Sequence, residues 1–211
     1  MKTIQENRNV FGIKFSKSLK YTALAGILLG LSYVWFALNR LYIHWPGSAE
    51  IVSVLTGAFI AACFWMVLAN FREFALMITW VGMAYTAVTL MFMAFRWPGG
   101  NSMGCYGVIS LITICAAIWY LCKKEVKNLH PRKAIAIWVI VIQLVFIILW
   151  YVKMYYLNYV VDQFEPAIPY AEDSVYYQQI RIWTLKYITM GNGIAMLLSS
   201  IYLYVKTLKR E

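Results

Sequence analysis

Two amides stand alone in long apolar surroundings, Gln143 in VIVIQLVFII and Asn192 in ITMGNGIAM. A carboxamide carries donors and an acceptor, and among hydrocarbon it needs a partner. Each therefore points to an interhelical hydrogen bond or to a polar solute passing by, and the two are expected to meet. A second set of polar groups lies in DQFEPAIPYAEDSVYYQQ, where Asp162, Glu165, Glu172 and Asp173 fall between Lys153 and Lys186. Opposite charges there make either a salt-bridged cap or, with Tyr170, Tyr176 and Tyr177, the mouth of a small-molecule site. Exposed ion pairs contribute only about 0–1 kcal/mol, so charge alone does not choose between these.

Acid–base or nucleophilic chemistry finds little support in the chain. The two histidines, His44 and His130, are far apart and belong to opposite sides of the topology derived below. No HExxH, GxSxG, phosphate-binding loop or dinucleotide glycine pattern stands in a suitable context. The four cysteines, Cys63, Cys105, Cys115 and Cys122, lack CxxC spacing and a neighbouring histidine, and read as small hydrophobes. No catalytic residue, metal or cofactor is expected, and the chain is read as non-enzymatic.

The elements that carry these groups follow from composition. Of 211 residues, 62% are hydrophobic and 13% charged, and the mean hydropathy is +0.64. A soluble domain is not this apolar, so the lipid bilayer is the expected solvent. Six runs approach the roughly 20 residues that cross a bilayer: Tyr21–Asn39, Ile51–Asn70, Phe74–Phe95, Met103–Cys122, Ala134–Tyr155 and Ile182–Val205. None has an interior proline, so each can close its own backbone hydrogen bonds. The five basic residues before the first run precede no cleavage-like site, and the first helix is expected to be retained.

Charge sets the direction. With the N-terminus inside, the cytoplasmic side holds five basic residues in the tail, Arg72, five in KKEVKNLHPRK and three in KTLKR. The other side holds only Arg40, Arg96, Lys153, Arg181 and Lys186. This positive-inside bias accounts for the net charge of +10 without nucleic acid. Both termini are expected in the cytoplasm, and a bacterial inner membrane is the expected location.

The sequence then repeats a corner. IHWPG at 43–47 returns as FRWPG at 95–99, each between two apolar runs. Proline fixes φ and starts a helix, glycine permits the turn, and tryptophan suits the headgroup level. His44, Trp45, Pro46 and Gly47, and Arg96, Trp97, Pro98 and Gly99, thus read as structural corners that anchor two hairpins at the outer interface. Small residues at Gly26 and Gly30, and at Gly57 and Ala61, have the spacing that lets helices approach closely.

The segments Ile43–Gly57 and Phe92–Gly107 resemble the transmembrane hairpin of the GldL family, the membrane motor subunit of gliding motility and type IX secretion. Phe92, Trp97, Pro98, Gly99, Met103 and Gly107 carry the better match. The resemblance implies a shared hairpin fold and a bacterial setting. The family's proton-driven motor implies an intramembrane Glu in the second helix of the hairpin, and this chain departs there. Ile51–Asn70 and Met103–Cys122 contain no Asp or Glu, and Glu50 precedes the second run. The family's large cytoplasmic region has no counterpart in this sequence.

The expected architecture is all-α: a polytopic membrane protein with six transmembrane helices in three hairpins, the first two a parallel repeat. Residues 1–20 form a basic tail, 21–70 the first hairpin, 74–122 the second, and 134–206 the third with an acidic outer loop at 158–180. The expected role is a structural or accessory subunit of a membrane complex, with the lipid bilayer and a protein as partners. The alternative is a small-solute transporter or channel with a path near Gln143 and Asn192.

Overall fold

A computed structural model describes residues 15–70, 73–95, 106–122, 130–163, 182 and 184–208. The described residues are almost wholly helical and contain no strand. They form α1 (Phe15–Leu38), α2 (Ser48–Ala69), α3 (Phe74–Phe95), α4 (Tyr106–Cys122), α5 (His130–Gln163) and α6 (Met190–Leu208). Two π-helical segments accompany them: π1 (Asn39–Ile43) continues α1, and π2 (Thr184–Thr189) leads into α6.

The helices lie where the apolar runs place them, and their ends show what the runs leave open. α1 starts at Phe15, so the basic end of the tail is already helical. α5 has Pro131 in its first turn, where a missing N–H costs nothing, and continues for 34 residues to Gln163. Residues 158–163, read from sequence as loop, are therefore helix. Five helical stretches are long and apolar enough to cross a membrane, whereas α4 is a shorter apolar helix. Large apolar side chains such as Leu31, Phe64, Trp65, Trp119, Ile148 and Leu198 are exposed on the outside of the bundle. A surface of that kind belongs in lipid, and the protein is a membrane protein.

Each helix packs on the next in the chain, and α6 returns to α1, so the six close a ring. Glycine makes the closing seam. A Cβ on Gly30 would stand 2.6 Å from the Leu197 nitrogen and 2.8 Å from the Gly193 oxygen, both backbone atoms. Gly26 likewise lies under the Ser200 side chain. The two glycines of GILLG thus allow α1 and α6 to meet backbone to backbone. The other small pair behaves differently: Gly57 and Ala61 are exposed, and a Cβ on Gly57 would meet nothing within 4 Å. On α3, Gly82 accommodates the Thr113 side chain of α4.

Inside the ring, Trp138 of α5 packs on Trp80 of α3 (centroids 5.7 Å apart) and on Phe59 of α2 (6.3 Å). All three are fully buried. They form an aromatic layer on one side of the mid-span amides.

Candidate functional site

The hydroxyls of the helices mostly satisfy themselves. Ser32, Ser53, Thr79, Thr86, Thr113 and Ser199 each donate to a carbonyl three or four residues back in their own helix. This is the ordinary way to place a hydroxyl in an apolar helix. Three interior groups instead cross between helices. Tyr33 of α1 reaches the Ala87 carbonyl of α3 at 3.2 Å and the Thr56 hydroxyl of α2 at 3.2 Å. Trp138 Nε1 donates to Ser200 Oγ of α6 at 3.0 Å. Gln143 Nε2 donates to Thr86 Oγ1 at 2.8 Å, with Met83 Sδ at 3.5 Å.

The orientation of the Gln143 amide follows from proton accounting. Thr86 spends its one hydroxyl proton on the Gly82 carbonyl, 2.9 Å away. Its oxygen can then only accept, so the nitrogen of Gln143 faces it. Asn192 is fixed in the same way, because Nδ2 donates to the Ile188 carbonyl at 2.8 Å and a carbonyl has no proton to return. Both amides are sealed from solvent, Gln143 at 0% exposure and Asn192 at 2%. Their oxygens, Gln143 Oε1 and Asn192 Oδ1, have no donor among the described residues.

The expected bond between these two amides is not made, and helix register gives the reason. α5 and α6 run antiparallel, with Trp138 opposite Ser200 and Leu149 beside Gly191. Counting along both helices from these contacts sets Gln143 opposite residues 195–197. Asn192 lies about one turn away, roughly 4.5–7.5 Å along the axis at 1.5 Å per residue. Gln143 turns across the ring to α3, and Asn192 turns to its own backbone.

The first corner has an organiser that the WPG motif does not contain. Asn39, 1% exposed, donates from Nδ2 to the Trp45 carbonyl and to Ser48 Oγ, both at 2.8 Å. Its Oδ1 accepts from the Trp45 N–H at 2.8 Å. The Asn39 carbonyl accepts from the His44 N–H at 2.7 Å, the five-residue step that closes π1. His44 sits at φ 59 and Gly47 at φ 93, left-handed values that glycine adopts freely and histidine does not. The extra residue in the π turn brings Asn39 under the corner, and the three side-chain bonds hold His44 in its unfavourable backbone state. Trp45 itself is 53% exposed, as a headgroup-level ring would be, and Pro46 is exposed beside it.

Arg96, Trp97, Pro98 and Gly99 lie outside the described residues. When Trp45 is laid on Trp97, Asn39 and Ser48 fall on Met91 and Gly100. The three-residue motif repeats, and the side chains that organise the first corner do not.

At the end of the bundle that bears the first corner, the Arg40 guanidinium lies over the Phe36 ring, 5.5 Å from its centroid, and Lys186 over Tyr187 at 5.7 Å. Lys153 is buried within the bundle in the second half of α5 and engaged there. Asp162 belongs to α5 rather than to a loop, and Glu165, Glu172 and Asp173 lie outside the described residues. The cap expected from sequence thus falls mostly on groups outside the described residues.

Sequence reasoning passed over Asn39, Ser48, Tyr33, Trp138 and Ser200. Asn39 had a readable signal, an Asn six residues before Trp45 at the end of an apolar run. No family model matches the chain, and neither a curated protein nor a solved structure is detectably similar to it.

Proposed function

We propose that this chain is a non-enzymatic inner-membrane protein that serves as a structural or accessory subunit of a larger membrane complex. In this reading all six helices cross the bilayer as three hairpins, with both termini in the cytoplasm and the first two hairpins related by duplication. α4, at 17 residues, is close to the lower limit for a span, about 17–25 residues. The GxxY stretches Gly30–Tyr33 and Gly82–Tyr85 stand at one distance before the two WPG corners, which supports the duplication beyond the corner itself. The resemblance to the GldL hairpin is retained as a proposal about the hairpin fold only.

One observation carries the accessory reading: Tyr33 and Gln143 are turned inward, bonded across the ring and closed to solvent. An interior tied in this way works as a scaffold, while a solute path needs polar groups open to water. The basic cytoplasmic segments and the acidic 158–180 region are the surfaces assigned to a partner. The second reading, a small-solute transporter or channel, draws on the two amide oxygens that point inward without a donor among the described residues.

Purification of the full chain from native membranes in mild detergent separates the two. A stoichiometric partner that stays bound through size exclusion is the expected result. A chain that purifies alone and conducts a small polar solute in proteoliposomes refutes the accessory role.

A further inference from the structure

Gln143 Oε1 and Asn192 Oδ1 are acceptors, and both face the inside of the ring. For Asn192 the direction follows from its neighbours: Gly191 meets Leu149 of α5, Gly193 meets Gly30 and Tyr33 of α1, and Ile194 is exposed. Successive residues of a helix are separated by about 100°. Asn192 therefore bisects the α5 and α1 directions on the side opposite the outer surface. Gln143 reaches α3, which is not beside α5 in the ring, so its side chain also crosses the interior. π2 packs on both α3 and α5, which brings the start of α6 toward that same space.

A buried acceptor left without a donor is rare in native proteins, and bound water is the usual partner. The interior here favours a neutral donor, because no carboxylate is buried among the described residues and α5 already buries one cation, Lys153, which would repel a second. The geometry fits water in number as well. One water between two acceptors spans about 4.5 Å and two in series about 7 Å, from hydrogen bonds of about 2.8 Å. The two residues are offset along the helix axes by roughly 4.5–7.5 Å at 1.5 Å per residue, a spacing of the same size, too long for one amide to meet the other directly.

We infer that Gln143 Oε1 and Asn192 Oδ1 form an internal water site, in which a chain of one or two water molecules links α5 to α6 at mid-span. The inference is independent of whether the protein acts as an accessory subunit or a transporter. It makes the α5–α6 joint an exchangeable hydrogen-bonded contact, while the α1–α6 seam is a close backbone contact.

The test is a double-mutant cycle with Gln143→Leu, Asn192→Leu and the pair, read as unfolding equilibrium constants of the full chain in mixed micelles. Gln143→Leu creates no orphaned donor at Thr86, whose proton goes to Gly82. With a shared water chain, either replacement releases it and the second then costs less. The pair is expected to be about fivefold less destabilised than the product of the singles, ~1 kcal/mol at 1.4 kcal/mol per tenfold. Effects that multiply within about twofold overturn the inference. Should a variant fail to fold, a density map of the unmodified protein decides at a resolution that shows ordered water. Peaks within hydrogen-bond distance of both oxygens support the site, and amides in direct contact, or oxygens facing only hydrocarbon, overturn it.

Discussion

Replacing Gly30 by alanine tests the closure of the ring at one atom. The added Cβ would stand 2.6 Å from the Leu197 nitrogen and 2.8 Å from the Gly193 oxygen. An ordinary contact begins near 3.4 Å, and neither backbone atom can rotate aside, so α1 and α6 must separate by about 0.8 Å at this point. A gap of 0.5–1 Å loses about a quarter to a half of each dispersion well of ~0.1–0.2 kcal/mol. Over about 40–60 atom pairs, as many as one buried leucine makes, the loss comes to about 3 kcal/mol at the middle of these ranges. Alanine recovers about 1 kcal/mol of helix propensity. The net expectation is a loss of about 1–3 kcal/mol, the usual range for an overpacked site. Gly57→Ala is the matched control, since its Cβ meets open space, and propensity alone predicts a change between zero and a gain of about 1 kcal/mol. Unfolding followed by tryptophan fluorescence over a graded series of denaturing and mild detergent reads both. Equal tolerance of the two replacements would refute the backbone-to-backbone seam, and the closed ring with it.

The first corner gives a second contrast. Asn39→Ala removes three hydrogen bonds and leaves His44 at positive φ unsupported, and should lower stability by about 1–3 kcal/mol with the discount due to an exposed Trp45. Pro46→Ala, at an exposed turn position, should cost less than about 1 kcal/mol, and the same unfolding assay ranks them. In the aromatic layer, Ser200→Ala leaves the buried Trp138 N–H without its acceptor, at a cost of about 1–3 kcal/mol. Trp138→Phe in that background should add less than it does alone, and a strictly additive pair would deny the bond.

The helices were legible because an apolar run without proline has one stable form in lipid. What crosses between helices was not legible. GILLG and the Gly57–Ala61 pair have the same spacing, yet the first is packed against α6 and the second faces outward. Spacing describes one helix, and the difference lies in which face the ring turns inward. Gln143 and Asn192 read as partners because each is a lone amide in an apolar run, but the α5–α6 register separates them by a turn and offers Gln143 a threonine on α3 instead. The corner shows the converse. Tryptophan, proline and glycine announce a turn, whereas Asn39, six residues upstream, makes the bonds that shape it. A π turn brings that residue into place, and π turns have no reliable mark in sequence.

The balance between scaffold and path turns on what would have to break for a solute to cross. At mid-span, Tyr33 ties α1 to α2 and α3, and Gln143 ties α5 to α3. Beyond them Trp138 joins Phe59, Trp80 and Ser200 across four helices. Opening the interior means parting both layers, and each buried bond left unmade costs about 1–3 kcal/mol without water to replace it. A transporter lowers that barrier by hydrating the groups it exposes, which requires polar residues on both sides of every joint. The aromatic layer meets this requirement poorly, since Phe59 and most of the two indoles have nothing to offer water. Among the described residues the spare amide oxygens stand on α5 and α6, at Gln143 and Asn192, and the Thr89 hydroxyl of α3 is also without a partner. A path lined by these groups would still run up against Trp80, Trp138 and Phe59, and an interior closed by that aromatic layer fits a bundle that holds its shape for a partner better than one that passes a solute.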